Sequence, residues 1–487
     1  MKKILLIVTT FVGVMLFSSC EDFLNLNPTN QAPKGSSIQT SKDADVMING
    51  LMREMTSPSY YGRNFVLYGD AKGGDLAVRS LSRGQDALYM FNHSASTNSY
   101  SDFWSQMYYC ILQINNLLEN IEKIETEGSD ANNFTNHKGQ LLTLRALIYF
   151  DLVRLYGEPY MENNVAFGVP LMTKVTDVYD TPQRVTVAQI YAQILQDLAE
   201  GAPMLSQNLI KGYVNYYANR AISARVHLHM GNYQEALIAA EEIITSNKYT
   251  LYTNETWLAS WASEFGSESI FELAMYQDEA DLGANSLGYH IRRYNKPGSS
   301  GGGQYVASDY FLERLGEDPD DIRWKVMERD EISADRLGCC NKYTGGPDEK
   351  GDKGSISAVN IKIVRLSEIY LIAAEASLST DPAKATDYLN AIKKRSPNLA
   401  PAMPTTITLD MILDEKSKEL FGEGQRFFDM MRLDKTITFN DDILQGAISS
   451  NIRPKTIDRT FYKTILPIPK SELDANPAIA SQQNSGY

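Results

Sequence analysis

A few groups of residues in this chain have types and spacings that suggest chemistry. Gly298-Ser299-Ser300-Gly301-Gly302 fits the G-x-S-x-G pattern of a serine nucleophile. That pattern needs a buried strand before it and a helix after it. Arg292-Arg293-Tyr294-Asn295-Lys296-Pro297 precedes it and is no core strand. His227 and His229 resemble a ligand pair, but residues two apart on a helix point about 200° apart around its axis. Cys339 and Cys340 are adjacent, and no His or Cys follows at zinc-ligand spacing. Cys110 lies in an apolar helical run and reads as a small core residue. Asp318, Asp320 and Asp321 flank Pro319 and read as a solvated loop or a helix cap. Paired carboxylates can hydrolyse glycosides from almost any sequence spacing, and 60 acidic residues leave that possibility open. No H-E-x-x-H, phosphate loop or dinucleotide fingerprint is present. The expectation is a protein that is not an enzyme, with no catalytic residue, metal or cofactor.

What remains is binding. The chain carries 28 Tyr against 17 Phe and 4 Trp. A tyrosine offers an apolar face and a polar tip, which suits wet binding surfaces as well as cores. Many of these rings fall in two stretches, 58–102 and 254–360, that are rich in Gly, Ser, Asn and Asp and read as long loops. Long loops on a rigid framework are where function concentrates. The net charge is −14, from 60 acidic and 46 basic side chains. Such a balance argues against nucleic acid, whose phosphates need a basic surface.

The elements that must position those loops are helical. Trp104, Met107, Tyr108, Ile111, Leu112, Asn115, Leu118 and Ile121 form one stripe, and Val187, Ile190, Tyr191, Ile194, Leu195 and Leu198 another. Thr186 and Gln189 form a capping box ahead of the second. A third helix runs from Leu141 to Leu155 and stops at Gly157. Ala218 to Tyr249 resembles a tetratricopeptide repeat, with its turn at Gly231-Asn232 and the small Ala224 seven residues earlier. Val364–Leu378 and Ala383–Lys394 make a further pair, with Asp381 as N-cap and Pro382 as first helical residue. Thr408 to Arg432 makes the last. The expected fold class is mostly α: tetratricopeptide-like helical repeats in a curved scaffold, with long irregular loops and few short strands.

The amino terminus reads as an address. Lys2 and Lys3 precede an apolar run, Ile4–Phe17. Its 14 residues span only about 21 Å as a helix, short of a bilayer core of about 30 Å. The run ends Phe17-Ser18-Ser19-Cys20, which resembles the lipobox of bacterial lipoproteins except that Phe17 stands where Leu is usual. The expectation is a signal peptide over 1–19 and lipidation at Cys20.

Further motifs carry a family resemblance. Cys20-Glu21-Asp22-Phe23-Leu24-Asn25-Leu26-Asn27-Pro28, the Trp104 helix with Asn115 and Asn116, Arg145-Ala146, and Tyr156-Gly157 with Pro159 appear in order. Ala224-Arg225-Val226 through Tyr233, Arg365 to Ala376, and Glu419-Leu420-Phe421-Gly422-Glu423-Gly424-Gln425-Arg426-Phe427-Phe428-Asp429 follow. Pro467-Ile468-Pro469, Asn476-Pro477 and Asn484-Ser485-Gly486-Tyr487 close the chain. Together they resemble the SusD-like (SusD/RagB) outer-membrane nutrient-binding lipoproteins, with Leu433 departing where a Trp is common.

That resemblance implies a surface-exposed outer-membrane lipoprotein that binds an oligosaccharide and passes it to a TonB-dependent SusC-like transporter. A peptide-capturing RagB-like protein is the alternative. It also implies one interlocked body with an N-terminal region over 20–265 and a C-terminal region over 266–487. Sugar recognition needs aromatic faces with amide, carboxylate or guanidinium groups nearby. The candidate ligand-binding residues are Tyr61, Asn64, Arg79, Arg83, Tyr89 and Asn92 from the first loop stretch, and Trp261, Tyr276, Tyr289, Tyr294 and Tyr305 from the second. For the Glu419–Asp429 motif the expectation is structural: Phe427 and Phe428 in the core, and Arg426 in an exposed ion pair with Asp429, Glu423 or Glu419.

Overall fold

A computed structural model describes residues 38–81, 86–96, 101–126, 133–177, 179–276, 283–293, 301–344, 358–444 and 452–487. Cys20, the leader, Arg83 and Tyr294 lie outside the described residues.

Local signals set most helix starts. Thr40 and Asp43 exchange side-chain and backbone hydrogen bonds in a capping box that opens α1 (Ser41–Met55). A short, almost fully buried α2 (Asn64–Ala71) follows. The tryptophan-led α3 (Ser101–Thr126) packs on α1 and on α4 (Thr135–Tyr156). The capping box at Thr186 and Gln189 opens α5 (Val187–Gly201), which lies along α4. Asn215 caps α6 (Tyr216–Met230), whose C-terminus turns at Gly231 with φ +76° into α7 (Tyr233–Thr245). Ala224 is fully buried, as the close approach of two helices requires. Beyond a short helix α8 (Leu287–Ile291), α9 (Leu366–Ser377) packs on α7 and on α10 (Pro382–Lys393). Asp381 caps α10 with Pro382 first. Then come α11 (Leu409–Glu419), α12 (Arg426–Arg432) and α13 (Lys470–Ala475). The architecture is therefore mostly α, with stacked helix pairs.

Strands among the described residues are short and form two-stranded antiparallel pairs. These are β1 (Leu76–Val78) with β5 (Tyr305–Ala307), β2 (Phe167–Pro170) with β3 (Arg184–Thr186), and β4 (Ser269–Leu273) with β8 (Ile361–Arg365). The remaining pairs are β6 (Met327–Glu328) with β7 (Cys339–Cys340), and β9 (Ile437–Thr438) with β10 (Thr456–Ile457). The C-terminal segment lies against the body. Leu466 N donates to Leu155 O at 2.8 Å, and the buried Arg184 guanidinium donates to the Gln482 carbonyl and to Asn484 Oδ1. No helix among the described residues is long and apolar enough to cross a membrane. Cys110, Cys339 and Cys340 are free and buried, and burial pushes the Cys110 thiol up to about 12.

Two expectations are corrected here. The Glu419–Asp429 motif is not an exposed helix surface. Glu419 is fully buried among Arg365, Arg323 and Arg395, at 3.1, 3.5 and 3.8 Å. Glu423 binds Arg365 and Lys342 at 2.7 and 2.9 Å, and Asp429 binds Lys416 and Arg432, both at 2.7 Å. Arg426 instead faces Asp75 at 3.7 Å and donates to Leu413 O at 3.1 Å. The reason is that α2 covers this motif. A Cβ added at Gly69 would stand 2.0 Å from Gly424 O, so the two backbones touch. Gly424 N donates to Asp70 at 3.1 Å, and the buried Phe428 ring stacks on Phe65 at 5.7 Å. The second correction concerns Asp318, which is buried rather than solvated; Asp321, also buried, takes the helix-cap alternative. Asp321 caps the helical turn Ile322–Val326 and binds Arg323, while Asp318 accepts from Asn398 N at 2.9 Å.

Candidate ligand-binding site

The β1–β5 pair joins the two loop stretches. Val78 stands opposite Tyr305, and Arg79 N extends the ladder by donating to Gln304 O at 2.9 Å. A one-residue step along a strand turns the next side chain to the other face. Both faces of this pair are buried, Tyr305 included, while Arg79, one residue past the paired strand, has a side chain 24% exposed. The second stretch contributes α8, which Ser286 caps through Tyr289 N. The Tyr289 carbonyl accepts from Gly302 N at 2.7 Å, and the His290 carbonyl from Gln304 N at 3.0 Å, which fixes α8 against the β5 edge.

This builds a polar ledge. Arg79 Nη2 and Arg293 Nε both donate to Glu331 Oε2, at 3.4 and 2.8 Å. The Arg293 hydrogen bond is the main cause holding the Glu331 carboxyl below its usual range. Glu331 has φ +61°, a left-handed backbone that a non-glycine residue adopts at a cost of about 1–3 kcal/mol. Two guanidiniums on one carboxylate leave a net positive charge and spare N–H donors. Arg63 donates to Asn64 Oδ1 at 2.9 Å and to Asn285 Oδ1 at 3.2 Å, near Tyr305 and His290. The half-buried Tyr289 on α8 sets its ring 5.4 Å from that of His290 and against Gly302. Guanidinium and amide groups, together with a part-exposed tyrosine on α8, suit a polyhydroxylated ligand. Beneath them His290 donates through Nε2 to Ala284 O at 3.0 Å, and burial, helped by Arg63, lowers its pKa to about 4.

The sequence candidates divide by burial. Arg79, Asn64 and Tyr289 belong to the ledge. Asn64 is buried, so it orients Arg63 rather than facing outward. Tyr61 is buried and donates its hydroxyl to Asp151 at 2.6 Å. Tyr89 is buried, donating to Asp441 at 2.8 Å with the Arg453 guanidinium 5.0 Å over its ring. Trp261 is buried against Trp257, Tyr343 and Lys342. With Tyr305, these rings offer no free face and serve packing. Tyr276 is 57% exposed just beyond β4, and Asn92 is exposed on the wall of a separate cleft. Arg83 and Tyr294 lie outside the described residues.

Sequence reading missed Arg63, Asn285, Arg293 and Glu331. One signal was available: in Arg292-Arg293, on extended backbone, one side chain must turn inward and the other outward. Arg292 is fully buried and Arg293 is 26% exposed.

This helical scaffold is shared with known proteins. The family described as the SusD family matches residues 321–487, and a second, described as starch-binding associating with outer membrane, matches 22–228. A solved structure of a SusD superfamily protein from Bacteroides thetaiotaomicron is 34% identical, with a TM-score of 0.82. That match covers 92% of this chain and 100% of the other. SusD-like protein P25 of Formosa agariphila is 25% identical over 97% of this chain and 98% of its own. A laminarin-binding SusD-like protein of known structure shares the fold at 24% identity, with a TM-score of 0.71 over 92% of this chain and 100% of its own. The chain belongs to the SusD superfamily.

Proposed function

We propose that this protein is a lipid-anchored, outward-facing outer-membrane lipoprotein that binds an oligosaccharide and delivers it to a TonB-dependent SusC-like transporter without cleaving it. The carrying observation is the ledge: Arg79 and Arg293 on Glu331, with Arg63, Asn285 and Tyr289, assembled from two loop stretches on a rigid helical body. The starch-binding description of one matching family and the laminarin ligand of a structural relative support a glycan. The Phe17-Ser18-Ser19-Cys20 sequence supports lipidation at Cys20, which mass spectrometry of the purified chain tests directly.

Calorimetry of the protein against a panel of neutral oligosaccharides tests the binding. At least one glycan gives a binding heat, and no shortened product accumulates. Tyr289→Ala and Arg293→Ala each weaken that glycan by about tenfold, the loss expected of a central contact. Silence across the whole panel, or unchanged affinity in both variants, would remove the ledge as the site. Co-purification of the transporter on the tagged protein tests the partnership.

A further inference from the structure

A second cleft lies away from the ledge, where residues 92–96 face the C-terminal segment. It has a volume of about 730 Å³, and Asn92, Tyr462, Lys463, Lys470, Leu473 and Tyr487 are among its lining residues. Small-molecule sites occupy about 300–1,000 Å³, so a mono- or disaccharide unit fits. Its walls are tied together. Lys470 N donates to Ala95 O at 2.8 Å. The Tyr487 hydroxyl donates to Ile465 O at 2.8 Å and accepts from His93 Nε2, also at 2.8 Å.

The charge of this cleft runs against that of the molecule. The whole chain carries −14, yet among the described residues no acidic side chain lines this cleft. Lys463 is partly buried, with its ammonium 5.8 Å from the Tyr462 ring centre, and among the described residues it makes no ion pair. Burial lowers its pKa. Lys470 shares its ammonium with Asp474 at 2.6 Å. Two more basic groups lie underneath. Lys72 is fully buried with Nζ 3.9 Å over Phe91 and 4.5 Å over Tyr68, and His93 is buried on Tyr487. Burial is the first cause lowering the pKa values of both, which favours their neutral forms and leaves the charge at the cleft to Lys463 and Lys470. An anion entering the cleft meets the Lys463 ammonium, which no carboxylate among the described residues answers. Tyr462 is 42% exposed and offers a ring, while Asn92 and Ser94 offer amide and hydroxyl groups.

We infer that this cleft binds an acidic sugar residue, with a carboxylate or sulfate group on Lys463 and the sugar ring against Tyr462. The inference rests on the reading of the protein as a glycan binder and adds a charge class and a second place on its surface.

The test titrates the full chain in detergent micelles with three probes: trigalacturonate, a sulfated galactotriose and neutral galactotriose. At least one anionic probe binds about tenfold tighter than the neutral one, and the preference shrinks as salt is raised. Lys463→Ala abolishes the preference and Lys463→Arg keeps it. Which anionic probe is preferred separates carboxylate from sulfate. Equal binding of all three probes by the parent chain overturns the inference while leaving the general glycan reading intact. An undiminished preference in a folded Lys463→Ala variant also overturns it. Absence of any saccharide binding, neutral probe and panel included, removes both.

Discussion

Glu419 shows how one residue in the family motif works. It has no exposed surface, and three guanidiniums surround it. Burial alone would raise its pKa, but Arg395, Arg365 and Arg323 together hold it well below the usual carboxylate range. Breaking such a group from one side strands the opposite charges, at a cost of about 3–5 kcal/mol. Glu419→Gln is therefore expected to lower unfolding free energy by that amount in urea titrations at pH 7. The pH sign follows from the depressed value. The stabilisation is complete above the usual pKa of 4.5 and is lost as pH falls through the folded-state value. The parent chain should lose stability on acidification below pH 4.5, and the Gln variant should lose less over the same interval. The sequence places Arg426 three residues from Glu423 and from Asp429 and seven from Glu419, and so offers it as their partner. The partners that form, Arg323, Arg365 and Arg395, lie 24 to 96 residues away (419 − 395 and 419 − 323), and spacing carries no trace of them.

At the scale of elements, capping was readable and loop placement was not. Thr186 with Gln189, Asp381 with Pro382, and Gly231 each satisfy backbone groups within a few residues, so local sequence is enough. Thr186→Ala is expected to cost about 1 kcal/mol, measured as a lowered urea midpoint at unchanged slope. The α8 loop depends on tertiary burial. His290 has its pKa lowered to about 4 from the usual 6.5 because burial disfavours the imidazolium. The unfolded chain therefore takes up the proton first as pH falls. Its contribution is complete above pH 6.5 and lost progressively down to about pH 4, a loss of about 3 kcal/mol. The expected outcome is faster amide exchange across Leu287–Ile291 at pH 5 than base chemistry alone predicts. His290→Gln should remove that pH dependence, and its persistence in the variant would exclude His290 as the cause.

For the whole molecule, the seam between α2 and the Gly422–Gly424 turn matters most. It presses an early helix onto the C-terminal motif, and β1–β5 and β4–β8 tie further distant segments together. Gly69→Ala forces a methyl group against the Gly424 backbone and is expected to destabilise the chain by about 3 kcal/mol. Circular dichroism and tryptophan fluorescence should shift together in one urea transition. Two separate transitions, with only one displaced, would mean that the seam does not couple the two regions.

The sequence by itself determined the helices, their caps and the family, because periodicity, capping and motif order are local properties of the chain. It also located the two loop stretches that meet at the ledge. Only the tertiary structure decided which rings face solvent. Tyr61, Tyr89, Trp261 and Tyr305 share composition and loop context with Tyr289, yet they are buried and it is only half-buried. Burial of a loop residue is set by what packs on it from elsewhere: Asp151 for Tyr61, Asp441 and Arg453 for Tyr89, and β1 for Tyr305. Those partners are distant in sequence, and a single chain read in order holds no record of the contact.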